Sequence, residues 1–382
     1  MEIVPLPPSQ RADPAGLEAQ TRILEAIPAL GRILNALPAL AMLLNQQRQV
    51  VLANQKLTDF AGATGADELC GFRPGEILEC IRAIETEQGC GATKHCAVCG
   101  ALRAILTAQL GRAMTQTCRV VRRTASGEEA IELEISAAPI QVAGELFTIV
   151  CAFDISGRLR REWMERRAVP QALELALEME VLSSSLASAG ARPELREQVI
   201  SRMAAASRRV AFIMREHSEL ASAEAGDLEV HREPVSALEI LRGAARDLEY
   251  EEAADGRQVE IDSASEDTLV DTDPALARRA FARIVLNALE ASPKGGVVSV
   301  GCRNADGQAE LWVRNAGEMP PAVQLQVFQR AFSTKGQGRG YGAYFARLIV
   351  SRYLGGSVAF RSTPDAGTTF LMFLPVLATH KS

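Results

Sequence analysis

The chain has 382 residues, 47% of them apolar and 23% charged, which suits two or three domains with real cores. A net charge of −6 excludes a nucleic-acid binder that works through a basic face. No apolar run reaches the roughly 18 residues of a membrane span, and the start MEIVPLPPSQRADP lacks the basic and apolar regions of a secretory signal. The expected location is therefore cytoplasmic, with the eight cysteines as thiols or metal ligands rather than disulfides.

Residues 1–35 begin proline-rich and run into a helical stretch, GLEAQTRILEAI, with apolar residues at helical spacing. Residues 36–155 read as a mixed α/β unit. AMLLNQQRQVVLANQKL predicts two short strands around a polar turn, and the segment AMTQTCRVV to CAFDIS predicts three longer ones punctuated by ASGEE and VAGE. The period then changes. Residues 156–232 are rich in Leu, Glu, Arg and Ala and predict a hairpin of two helices joined near Gly190 to Pro193, with apolar stripes that need a partner. Residues 233–376 return to an α/β pattern, and 377–382 form a tail. The fold class expected is an α+β multidomain protein.

Between the short and long strands stands FRPGEILECIRAIETEQGCGATKHCAVCGALRAIL. Its spacing, Cys80-x9-Cys90-x5-Cys96-x2-Cys99, offers four thiolates to one metal. Gly89, Gly91 and Gly100 are expected to supply the unusual backbone angles of such a knuckle. Zinc and an iron–sulfur cluster both accept four thiolates, and spacing does not separate them. The alternatives are a thiol switch, or cysteines buried without a ligand. His95 could replace one sulfur, although a loop histidine needs no such role. Cys70, Cys118, Cys151 and Cys302 lie on strand or helix patterns and read as core residues.

The C-terminal segment carries an ordered set of motifs. ARIVLNALEASPKGG places Asn287 on a helix, and RNAGEMP, VFQRAFSTKGQGRGYGAYFARLIV and GGSVAFRSTPDAGTTFLMFLP follow it. Gly336, Gly338, Gly340 and Gly342 make a loop able to approach a ligand closely. That loop feeds a helix start, where free N–H groups favour phosphate. With these motifs, residues 233–376 resemble the ATP-binding domain of the histidine kinase, gyrase and heat-shock-chaperone ATPase superfamily. The resemblance implies an α/β sandwich binding ATP with Mg²⁺. It assigns Asn287 to the Mg²⁺ ion and Asn315, Ala316, Gly317, Glu318 and Met319 to the adenine loop. Phe328 and Phe332 match its phenylalanine motif, and Gly338, Gly340 and Gly342 its lid. Lys335 is placed to meet a terminal phosphate, and Gly367 and Thr368 match the final Gly-Thr pair. An asparagine and a methionine replace the family's aspartate and second glycine, at Asn315 and Met319. An amide carbonyl still accepts the adenine hydrogen bond.

Other departures concern phosphoryl transfer. In histidine kinases the acceptor histidine stands on the first hairpin helix. Here that helix contains none, and counting back from Asn287 puts Pro170 at the acceptor position. The four histidines are His95, His217, His231 and His380, and His217 falls late in the second helix. One turn before Asn287, where the superfamily carries a polar or acidic residue, stands Arg283. A guanidinium cannot serve as a general base, though it can pair with a phosphate; the plain alternative turns Arg283 to solvent or to a surface carboxylate.

Residues 36–155 resemble a PAS sensor domain, through LLNQQRQVVLANQKL and the junction FDISGR. Together the resemblances imply a two-component-type protein with a dimerising hairpin, a four-helix bundle in the homodimer, and a response regulator or partner kinase as partner. Ile155, Leu159 and Trp163 are expected either in a parallel seam below the junction or packed on the PAS sheet. An active sensor kinase and a regulatory pseudokinase both remain open, with a serine kinase of the anti-sigma-factor type behind them.

Overall fold

A computed structural model describes residues 3–124, 127–188, 193–248, 256–336 and 340–377. The chain forms two units, Met1–Arg160 and Arg161–Ser382.

The first unit is built on an antiparallel sheet of β1 (Leu40–Leu44), β2 (Val50–Ala53), β3 (Met114–Thr124), β4 (Gly127–Val142) and β5 (Glu145–Asp154), in the order β2-β1-β5-β4-β3. The two short and three long strands of the sequence reading are all present. Both faces of this sheet are covered, because successive side chains of LAMLL point to opposite sides. Met42 and Leu44 join Ala104, Ile105 and Ala108 of the helix Gly100–Gln109, whereas Ala41 and Leu43 pack with Leu24 and Leu34 of the N-terminal segment. That segment is two helices, Pro14–Glu25 and Pro28–Ala36, since Pro28 cannot continue the first and opens the second. Buried Asn54 ties the start of the unit together. It accepts from Ala41 N and Leu57 N at 3.0 Å and donates to the carbonyls of Leu34 and Ala39. At the exit, Ser156 N donates to the Asp154 carboxylate at 2.8 Å, and Ser156 Oγ accepts from Glu132 N on β4 at 2.9 Å.

The helix Ser156–Trp163 continues through a π-turn, Met164–Ala168, into the helix Val169–Ser188. The widened turn sits immediately before Pro170, whose ring would clash with a carbonyl one turn back and whose nitrogen donates no hydrogen bond. A long helix, Pro193–Ala225, completes the hairpin. Trp163, at the start of the second unit, is buried edge-on against Tyr341, with ring centroids 5.9 Å apart, a contact the sequence did not suggest.

The C-terminal sheet comprises β7 (Gln258–Ile261), β9 (Val297–Ala305), β10 (Gln308–Asn315), β11 (Ser357–Thr363) and β12 (Gly367–Pro375), in the order β11-β12-β10-β9-β7; β6 (Glu233–Ser236) and β8 (Leu269–Thr272) pair separately. Against one face pack the helices Ala237–Asp247, Pro274–Ala291 and Gly342–Leu348, giving the α/β sandwich expected. The sequence DTDPALARRAF explains the central helix start: Asp273 caps Leu276 N at 2.9 Å and Pro274 opens the first turn. Among the described residues no helix is long and apolar enough to cross a membrane.

Candidate functional site

The second unit holds a cleft of about 410 Å³, within the range of small-molecule sites. Its wall includes Asn287, Asn315, Gly317, Lys335, Gly340, Gly342 and Thr368. Seven of the eight ligand-binding residues expected from the sequence therefore meet at one site; the eighth, Gly338, lies outside the described residues. Phe332 also lines the cleft, whereas Phe328 packs behind it against Phe360 and Phe370.

Each of these groups is placed by backbone geometry. Asn315 ends β10 opposite Thr368, the second residue of β12, so one strand pair presents both side chains to the cleft floor. Thr368 Oγ1 donates to Gly317 O at 2.7 Å, and Met319 N donates to Ser362 Oγ at 2.8 Å, which pins the loop after β10. A Cβ on Gly317 would stand 3.1 Å from the Asn315 amide nitrogen. Gly340 is a stricter case: its φ is +98°, and a Cβ there would fall 2.1 Å from Phe332 O. A Cβ on Gly342 would stand 3.5 Å from the Asn287 amide oxygen, so the start of the helix Gly342–Leu348 lies close to the helix asparagine.

Two charged groups make contacts that the sequence did not suggest. Lys335 Nζ pairs with Glu290 at 2.7 Å. Sequence reasoning missed Glu290, although it follows Asn287 by three residues on the same helix face. Arg283 is buried, correcting the reading that turned it to solvent. Its charge reaches Glu219 on the long hairpin helix, which also pairs with Arg279 at 2.9 Å. Burial nevertheless holds the Glu219 carboxyl above its ordinary range, outweighing these cations. A second hairpin carboxylate, Glu224, takes Arg330 in a two-pronged pair, with Nη2 to Oε2 at 3.1 Å. Arg330 is 2% exposed and also lies 5.7 Å from the ring centroid of Tyr341. Tyr341, which contacts Trp163 and Arg330, immediately precedes Gly342, which lines the cleft together with Asn287.

In the first unit the cysteines lie between the helical segment and β3. Gly89 and Gly91 take positive φ, 75° and 94°, as expected, but Gly100 does not. Gly100 is needed for space instead, because a Cβ there would fall 2.1 Å from Thr117 O. Among the described residues no group of three His, Cys, Asp or Glu is placed to hold a metal ion, so the expected set Cys80, Cys90, Cys96 and Cys99 is not a preformed cage. The four thiols do sense one another: charges on Cys96 and Cys99 act on both Cys80 and Cys90. Burial pushes the Cys80 thiol up to about 11 and Cys90 higher. Cys118, read from sequence as core, is buried on β3 but stands 3.6 Å from Cys99, sulfur to sulfur. Its hydrogen bond brings the Cys99 thiol down to about 7.

Residues 272–378 match the family described as histidine kinase-, DNA gyrase B-, and HSP90-like ATPase. Among curated proteins, the sensor histidine kinase ZraS of Escherichia coli (strain K12) is 30% identical over 131 residues, covering 34% of this chain and 28% of ZraS. The sensor-like histidine kinase SenX3 of Mycolicibacterium smegmatis is 28% identical over 204 residues, 52% of this chain and 53% of SenX3. The chain therefore spans under a third of the first relative and about half of the second. A solved structure of the mycobacterial sensor histidine kinase MprB is 27% identical, with a TM-score of 0.33, and covers 39% of this chain and 100% of that one. A domain of the matched type implies ATP binding, typically with Mg²⁺. Residues 272–378 therefore form a domain of this ATPase type, and the curated relatives that the chain resembles in part are sensor histidine kinases.

Proposed function

We propose that this chain is a two-component-type signalling protein that binds ATP with Mg²⁺ and couples a PAS-like, cysteine-bearing domain to a histidine-kinase-like core lacking the usual acceptor histidine. The observation that carries the reading is the single cleft onto which Asn287, Asn315, Lys335 and Thr368 converge. The amide oxygen of Asn287 serves the metal and the carbonyl of Asn315 accepts from adenine. Lys335 exchanges Glu290 for a terminal phosphate. Arg283, buried one turn from Asn287, places a permanent cation where a proton acceptor would be needed for catalysis.

The PAS-like reading is supported by a five-stranded antiparallel sheet with its helical segment inserted between β2 and β3. The homodimer is supported by the helix Val169–Ser188, where Val169, Leu173, Leu177 and Val181 recur every four residues and are each more than half exposed. Burying the exposed half of such residues in a four-helix bundle stabilises by about 1–1.5 kcal/mol apiece. A response regulator or partner kinase is the expected partner, docked at the hairpin.

Calorimetry with Mg²⁺ and ATP or ADP tests the site, and absence of both heat and thermal stabilisation refutes it. Incubation with γ-labelled ATP, alone and with candidate response regulators, separates the two remaining readings. Nucleotide binding without protein-bound label marks a pseudokinase; acid-labile label marks a kinase with a non-standard acceptor.

A further inference from the structure

The geometry points to a redox dithiol formed by Cys99 and Cys118, which hydrogen peroxide or a related hydroperoxide closes to a disulfide. Neither residue pair nor partner was legible from the cysteine spacing, since Cys118 lies outside the CxxC knuckle on a strand of its own.

Three observations carry the site. The two sulfurs are 3.6 Å apart, so they must approach by about 1.5 Å to reach a disulfide length of about 2.05 Å. The backbones are already pressed together at this point. Cys99 immediately precedes the helix Gly100–Gln109, and a Cβ on Gly100 would stand 2.1 Å from Thr117 O and 3.3 Å from Cys118 N. Closure therefore asks for a sulfur approach of about 1.5 Å between two elements whose backbones already touch. Access is asymmetric: Cys99 is half-buried and Cys118 is 2% exposed. An oxidant meets Cys99 first, and Cys118 waits behind it as the resolving thiol.

The chemistry closes without another component. The Cys99 thiolate attacks one peroxide oxygen, the O–O bond breaks, and the departing hydroxide takes a proton to leave as water. Cys99 is then a sulfenic acid. Cys118 attacks that sulfur as it loses its proton, the S–O bond breaks, and a second water leaves. Two electrons pass from the sulfur pair to the peroxide.

The position of the pair suits an input to the unit's exit. Cys118 pairs with Leu133 across β3 and β4, and Leu133 pairs with Asp154 across β4 and β5. One cross-strand row, about 10 Å long at normal strand spacing, joins the dithiol to the Asp154–Ser156 junction. Its role as a signal rests on the proposed sensor function; the disulfide itself does not.

The test uses the full chain, with metal content measured by elemental analysis and nucleotide affinity measured in parallel. After brief exposure to hydrogen peroxide, free thiols are alkylated and peptides mapped by mass spectrometry. The expected result is a Cys99–Cys118 cross-linked peptide that dithiothreitol dissolves. Cys118→Ser and Cys118→Ala should each leave Cys99 as a sulfenic acid trappable by dimedone, and Cys99→Ala should leave Cys118 unoxidised. In wild-type protein the cross-link should slow or speed amide exchange at Ile155 and Ser156 several-fold. Cys99 joined instead to Cys80, Cys90 or Cys96 overturns the proposal, as does a stoichiometric metal that shields Cys99 from peroxide. Loss of nucleotide binding with the cross-link intact would sink the ATP reading and leave the dithiol standing.

Discussion

In the cleft of the second unit the lining groups face about 410 Å³ of open space, and their positions are set by strand ends, helix faces and ion pairs. In the cysteine pocket the thiols are held between a helix start and β3, with Gly100 leaving no room for even a methyl group. The first arrangement suits a large polar ligand that enters and leaves. The second suits a chemical event on the protein itself, small in volume and carried along bonded strands. Their contrast teaches that exposure and packing, as much as residue type, determine which kind of input a site can accept.

The largest effect expected on this comparison is in the cleft. Asn287→Ala should weaken Mg²⁺-dependent ATP binding by roughly 100-fold, about 2.7 kcal/mol, read with a fluorescent adenine nucleotide. The cysteine variants should leave that affinity unchanged. Next comes the contact between hairpin and lid. Arg330→Ala leaves Glu224 without its buried partner and should lower the stability of the second unit by about 3–5 kcal/mol, seen in thermal unfolding. A loss as small as that of an exposed pair would show that the lid is held by Trp163 and Tyr341 instead. Gly100→Ala should destabilise the first unit by about 1–3 kcal/mol through overpacking against Thr117, and should change the rate of disulfide closure without touching nucleotide affinity.

Smaller effects sharpen the account of the cleft. Lys335→Ala should weaken ATP binding about tenfold, near 1.4 kcal/mol, while barely moving stability, because its pair with Glu290 is partly exposed. Glu290→Gln should tighten ATP binding if Lys335 changes partner on binding; equal affinities would refute that exchange. The smallest effect concerns Glu219. Its carboxyl is raised by burial, so the folded state takes up its proton before the unfolded chain does. The stability this contributes is present at acid pH and is lost as pH rises through the raised value. Glu219→Gln should remove that dependence, measured as melting temperature across the carboxylate range.

How far the sequence could be read depends on the kind of signal. Strand alternation, the hairpin and Asn287, Asn315, Gly317 and Thr368 were legible because local period and short motifs carry them. Glu290 was legible in principle, three residues after Asn287, but its partner lies 45 positions away. Arg283 was ambiguous, since helical spacing alone does not say which neighbour covers a face. Cys118 looked like any inward residue of β3, since alternation reports burial and not the sulfur beyond it.

By itself, then, the amino-acid order determined the elements, their order and which residues to look for around the cleft of the second unit, because each follows from periodicity, turn chemistry or a compact motif. Only the tertiary structure decided that Trp163 meets Tyr341, that Arg330 is buried against Glu224 and that Cys99 faces Cys118. Those contacts join residues 19 to 178 positions apart. They arise from which surfaces pack together, and no local pattern of residues encodes that choice.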